Sequence, residues 1–253
     1  MASRGAARSR IMKRKAEKRR AQPVASPQGR QRTKPSAPRA SVDRRAARAV
    51  AVDDLLQRCY PDAECALEHR TPFQLLVATI LSAQCTDARV NLVTEELFRV
   101  APDAASIAAL ELTELERLVH STGFFRAKAR NIHATAEKLL REHGGDVPRT
   151  MAALLELPGV ARKTANVVLG TAFGIVSGVV VDTHVQRLSG LLALTAAEDP
   201  KRIEEDLMAL LPEERWIGFS HRLILHGRAI CIANRPRCAE CTLKSLCPAG
   251  TLS

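Results

Sequence analysis

Residues 157–184 read LPGVARKTANVVLGTAFGIVSGVVVDTH, and the order of signals within them decides how the rest of the chain is read. Just upstream, Thr150 is placed to cap a short helix, MAALLEL, whose aliphatic residues recur at helical spacing. Pro158, which has no amide hydrogen, must end that helix, and Gly159 follows as the turn residue. A second helix re-enters near Val160 to Ala161, runs through Lys163, Val167, Val168 and Ala172, and stops at Gly174. Helix, tight turn, helix leaves backbone N–H groups unpaired at the mouth of the second helix, where a phosphate binds without any base being read. A purely structural helical hairpin is the competing reading.

Lys163 moves the reading toward chemistry. It falls in the first turn of the second helix, where a cation opposes the helix dipole, and Arg162 adds a second positive charge beside it. A lysine that gives up its proton is a nucleophile able to form a Schiff base, whereas a surface lysine holding a phosphate as a point charge is the plainer alternative. Nineteen positions on, Asp182 follows the β-branched run Gly178–Val181 and precedes a helix beginning at Thr183. Asp is a preferred N-cap. A capping carboxylate has a fixed direction, so capping and catalysis are compatible, and His184 reads as a packing residue.

Near the C-terminus, CIANRPRCAECTLKSLC (231–247) has the spacing C-x6-C-x2-C-x5-C. Four thiolates so arranged can close around one metal centre, and spacing alone leaves zinc and an iron–sulfur cluster comparable. Between the first two cysteines, Asn234 to Arg237 forms a basic loop that a metal would pin at both ends, which makes Arg235 and Arg237 candidate phosphate contacts. Cys59, Cys65 and Cys85 are not at ligand spacing and read as buried small hydrophobes.

LPGVARKTANVV and VDTH resemble the helix-hairpin-helix DNA glycosylases, and the lysine within RKTAN together with the cysteine spacing resembles the endonuclease III family. The resemblance covers roughly residues 42–250. It implies an all-α fold of two helical lobes with a DNA-binding cleft between them: a six-helix barrel at 69–176 ending in the hairpin, and a second lobe from 41–68 and 177–253. It also implies a [4Fe-4S] cluster on Cys231, Cys238, Cys241 and Cys247, with Lys163 as nucleophile and Asp182 as its carboxylate partner. Gly159, Ala161, Arg162 and Thr164 then become the hairpin's DNA contacts. Gln84 and Phe124 become wedges that fill the gap left by an everted nucleotide, although by sequence alone Phe124 reads more readily as core. The family usually has glycine where Ala161 stands, which implies a less close backbone approach to phosphate.

The expected activity is therefore that of a bifunctional glycosylase and AP lyase acting on duplex DNA with damaged pyrimidines or abasic sites, as a monomer in the cytoplasm on the bacterial nucleoid. Two rivals stand beside it. An adenine-mismatch glycosylase shares hairpin and cluster but lacks the amine nucleophile, and a noncatalytic DNA-binding module with structural zinc shares only the scaffold.

Charge needs to be divided along the chain before it supports any of this. The net charge is +11, but residues 1–40 hold 13 Lys and Arg against the single acid Glu17, and the rest holds 25 basic and 26 acidic residues. Any DNA-binding face on the folded part must therefore come from local segregation of charge. The first 40 residues have almost no large apolar side chains and read as a disordered DNA-binding arm, with an organellar transit peptide as the rival. Aromatics make up 3%, which argues against a base-stacking surface for single strands. No apolar run approaches the roughly 20 residues that cross a bilayer as a helix.

The remaining signals predict about ten helices. Ser41 caps a first helix that Pro61 ends, and TPFQLLVATILSAQ (71–84) is apolar nearly all round, the mark of a buried central helix. Thr86 or Asp87 caps the next, a single helix follows the 101–103 loop to near His120, and AKARNIHATAEKLLREH ends at Gly144–Gly145. After Asp182, helices are expected at 183–192, from Asp199–Pro200 to Leu211, and from Ser220 to about Ile230.

Overall fold

The computed structural model describes residues 39–251, and all regular secondary structure among them is helical. The basic segment expected to act as a DNA-binding arm lies outside the described residues except for its last two positions, where α1 (Arg39–Cys59) already begins. Ser41 is thus inside the first turn and does not cap it, because Arg39 and Ala40 are good helix formers that carry the helix backward.

Ten more α-helices follow among the described residues: α2 (Pro72–Leu81), α3 (Asp87–Val100), α4 (Ala104–Ala109), α5 (Leu112–Val119), α6 (Phe125–His143), α7 (Met151–Leu155), α8 (Arg162–Phe173), α9 (Thr183–Leu191), α10 (Pro200–Leu210) and α11 (Trp216–Ala229). Side-chain caps sit where the sequence puts them. Thr71, Thr86, Thr150, Asp182 and Asp199 each accept a first-turn amide N–H. Two further boundaries differ from expectation. The single helix expected from the 101–103 loop to near His120 is broken into α4 and α5 at Leu110 and Glu111, both extended, with no glycine or proline to announce the break. α11 starts at Trp216 rather than Ser220, continuing a 3-10 turn at Glu213–Arg215, and Trp216 Nε1 donates to the Leu211 carbonyl at 3.0 Å.

The apolar side chains form two clusters. The first gathers residues from α2 through α8, with Phe73 to Leu81 of α2 all buried at its centre. The second gathers Ala49, Val52 and Leu56 of α1 with residues of α9, α10 and α11. Gly178–Val181 passes between them without regular secondary structure. Val179 packs in the second cluster and Val180 in the first, and the Val180 N–H donates to Ser220 Oγ at 3.0 Å. That crossing carries the chain from the end of the hairpin to Asp182.

Candidate active site

The hairpin is braced from below by α6. Thr135 Oγ1 donates to the Pro158 carbonyl at 2.8 Å, and Gly159 lies against Asn131 so closely that a β-carbon there would sit 2.8 Å from its Nδ2. Gly159 has φ +75°, so both backbone and space require glycine. Ala161 does not share that constraint. It is exposed with φ −94° and ψ 170°, a conformation open to any residue, so the alanine found where the family usually has glycine introduces no backbone strain. No side chain caps α8, and the N–H groups of its first turn have no side-chain acceptor, as anion binding at a helix mouth requires.

The residues around Lys163 take different places. Arg162 Nε is 2.7 Å from Glu204 Oε2 on α10, and the 4%-exposed Glu204 also accepts from Asn166 Nδ2 at 2.8 Å. The guanidinium expected to touch DNA is therefore tied to a buried carboxylate, which offsets the charge it was expected to add beside Lys163. Thr164 is buried, so its side chain faces the protein. Lys163 itself is exposed.

Lys163 and Asp182 line the same cavity, of about 70 Å³, walled by Thr79 and Ser82, by Val167 and Val180, and by His221, Ile224 and Arg228 of α11. Asp182 is half-buried, and a single oxygen, Oδ1, accepts both the His184 N–H at 2.9 Å and the Val185 N–H at 2.8 Å. Oδ2 takes no part in the cap. His184 packs its ring on Gly227, where a β-carbon would come within 2.8 Å of Nδ1. Across the cavity, Arg228 pairs with Asp87 at 2.7 Å, and Cys65 lies close enough for its thiol to feel Lys163 and Asp87. Burial pushes that thiol up, while burial and then Arg222 push His221 down, so both are held neutral.

Gln84 and Phe124 are exposed, and both adopt left-handed backbone, φ +53° and +48°. They are two of three non-glycine residues with positive φ among the described residues, the third being Ala193. Phe124 is 68% exposed at the N-cap position just before α6, whereas Phe125 packs on the first core and lies against His120 with ring centroids 4.4 Å apart. Of the adjacent aromatics, the second is core and the first is presented.

The four C-terminal cysteines line one space of about 210 Å³ with Leu191, Ile230 and Pro236. Burial raises the Cys241 thiol, and the neighbouring Cys231, Cys247 and Cys238 raise it further, as expected for thiols converging on one centre. Arg187 Nη1 lies 3.4 Å from Cys231 Sγ, and His226 Nε2 lies 3.4 Å from Cys241 Sγ, with Tyr60 Oη 3.3 Å from the other ring nitrogen. Among the described residues no three His, Cys, Asp or Glu side chains close on a single ion, and four thiols lining one space are a donor set that fits zinc or an iron–sulfur cluster. Arg235 and Arg237 are exposed on the loop between the first two cysteines. Cys59 is exposed at the end of α1 rather than buried; Cys65 and Cys85 pack partly buried against the first core.

A family model for the HhH-GPD superfamily base excision DNA repair protein matches residues 77–213, more than half of the chain. Endonuclease III of Synechocystis sp. is 57% identical over 206 residues, covering 81% of this chain and 94% of the relative. The chain belongs to the endonuclease III family. Endonuclease III of Escherichia coli is 42% identical over 181 residues, 72% of this chain and 85% of that one. A structure of a trapped covalent intermediate between an endonuclease III and DNA superposes with a TM-score of 0.79 at 43% identity, covering 82% of this chain and 97% of that chain. Endonuclease III membership makes the chain a DNA glycosylase and AP lyase of base excision repair and sets aside the noncatalytic binder.

Several groups at this endonuclease III site carried no sequence signal. Glu204 is 42 positions from Arg162, and Arg228 is 141 from Asp87. Each pair joins elements that only the folded chain brings together.

Proposed function

We propose that this enzyme excises damaged, chiefly oxidised, pyrimidines from duplex DNA and cleaves the strand at the resulting site, with Lys163 as nucleophile and Asp182 as its electrostatic partner. The observation that carries the reading is that Lys163 and Asp182 line one cavity, with the carboxylate oriented by two backbone amides. The target nucleotide turns out of the stack into the groove at that cavity. The Lys163 free amine attacks C1′, the C1′–N bond breaks, and the base leaves with a proton. The Asp182 carboxylate stabilises the positive charge that develops on the sugar. Opening of the sugar ring gives the imine, which acidifies the C2′ proton; its loss expels the 3′ phosphate by β-elimination, and hydrolysis returns the lysine.

The remaining assignments follow the same reading. Backbone amides of the hairpin at Gly159, Ala161, Arg162 and Thr164 hold a phosphate, Arg235 and Arg237 hold another, and Gln84 and Phe124 fill the vacated position in the duplex. Residues 69–176 form the barrel lobe, and 41–68 with 177–253 form the other. Cys231, Cys238, Cys241 and Cys247 hold a [4Fe-4S] cluster. When bound, the cluster closes the C-terminal loop and supplies a redox-capable centre, while no step of base removal passes through it. Arg187 and His226 lie beside the Cys231 and Cys241 sulfurs and would donate to those thiolates when the cluster is bound. The protein acts as a monomer on the nucleoid; no helix among the described residues is long and apolar enough to cross a membrane.

The test is a set of end-labelled duplexes, each with one defined lesion. Excision and strand cleavage at oxidised and ring-saturated pyrimidines, with intact duplex and adenine mismatches untouched, is the expected result. Preferential release of adenine from a mismatch would overturn the substrate assignment.

A further inference from the structure

One charged side chain belongs to none of the roles above. Lys128, in the first turn of α6, is 5% exposed, and its Nζ donates to the Leu81 carbonyl at 2.8 Å and to the Thr122 carbonyl at 2.7 Å. Its position in the helix is unfavourable for a cation. Burial also draws its pKa down, against a smaller opposing effect from Cys85. A lysine kept in such a place is held by what it bonds.

What it bonds is the root of two loops. Leu81 is the last residue of α2, three positions before Gln84, and Thr122 closes the 3-10 turn His120–Thr122, two positions before Phe124. Both carbonyls lie at ends of helical turns, where acceptors lack intrahelical partners and a cation is favoured. Gln84 and Phe124 are in the left-handed region, a conformation that persists only where surrounding structure over-determines it. No other ammonium or guanidinium hydrogen bond among the described residues ties the end of α2 to the turn before α6.

We propose that Lys128 is a positioning residue that locks the loops bearing Gln84 and Phe124 into one rigid unit, so that both wedges enter the duplex together. The proposal rests on the wedge reading given above. Its advantage is preorganisation: the two side chains hold their relative geometry before DNA arrives, and entering the stack does not require ordering each separately. Lys128 touches neither substrate nor Lys163 in this scheme and acts through the two loops alone.

The coupling is testable without DNA. In the unmodified protein, amides of 82–86 and 122–126 should share one opening event in hydrogen exchange, with opening constants that agree within about twofold. Constants that differ severalfold between the loops would overturn the proposal. Lys128→Met keeps the length and apolar stem but removes the donors; exchange should speed up about tenfold in both loops and stay unchanged in α8. Acceleration in one loop alone, or in neither, also overturns it. With DNA, Lys128→Met should slow base excision from duplex by up to about a hundredfold in kcat. Cleavage of a preformed abasic site in single-stranded DNA, where there is no stack to enter, should stay within about twofold of the unmodified enzyme by the same positioning argument. Equal loss on both substrates points to general structural damage and overturns the proposal. If the loops loosen together while Gln84→Ala and Phe124→Ala leave excision intact, the coupling stands and the wedge reading falls.

Discussion

Asp182 carries two duties in one side chain, and two substitutions separate them. Oδ1 accepts both cap hydrogen bonds of α9, at 2.9 and 2.8 Å, and the carboxylate charge is what Lys163 chemistry requires across the shared cavity. Asp182→Asn keeps an oxygen acceptor at the cap and removes the charge. Asp182→Ala removes both. Loss of an N-cap costs about 1–2 kcal/mol. In a folded domain of this size each kcal/mol lowers Tm by roughly 2–4 °C, so Asp182→Ala should melt about 2–8 °C below the unmodified protein. Asp182→Asn should lose no more than a few tenths of a kcal/mol, since Asn caps about as well as Asp. Removing one preorganised electrostatic group at a reacting centre typically costs about a hundred- to a thousandfold in rate, and both variants should lose that much. Thermal unfolding gives the first ordering, single-turnover excision on a lesion duplex the second. If activity follows stability, so that Asp182→Asn works nearly as well as the unmodified enzyme, the carboxylate is a cap alone and the electrostatic role is wrong.

Other substitutions probe the scaffold around this pair. Gly159→Ala must strain a φ of +75° and push against Asn131, and should lower stability by about 1–3 kcal/mol in urea unfolding; Asn131→Ala should recover the steric part but not the backbone part. Arg162→Ala leaves Glu204 buried without its cation and should destabilise by about 1–3 kcal/mol, while the salt dependence of DNA binding changes by less than one counterion, because the guanidinium is already paired. Metal analysis of the purified protein should return about four irons and no zinc per chain with a broad visible absorption, and Cys238→Ser should bleach it. One zinc per chain with no visible band would replace the cluster by a structural ion.

Local grammar carried most of what could be read from the chain. Thr150, Gly159, Asp182 and Asp199 announced caps and a turn because their reasons are contained in a few neighbouring residues, and the apolar run of 71–84 announced the buried α2. The four cysteines lie within 17 residues and could be grouped by spacing. Where the reading fell short, the cause lay in distance along the chain. Arg162 appeared as a free cation because Glu204 is on another helix, and Lys128 appeared as one more lysine because its acceptors are backbone carbonyls 47 and 6 positions away. Between Phe124 and Phe125 no local rule chooses; the left-handed φ of Phe124 throws the first ring outward and lets the second pack on His120. The break between α4 and α5 has no glycine or proline because an extended Leu110 and Glu111 suffice to redirect the chain.

The most direct measurement is chemical capture. With borohydride present during turnover on a lesion duplex, the imine is reduced to a stable amine, and digestion followed by mass spectrometry locates the modified residue. A single DNA adduct is expected on the peptide containing Lys163, and none from Lys163→Ala. An adduct mapped to another lysine, or full strand cleavage by Lys163→Ala, would contradict it.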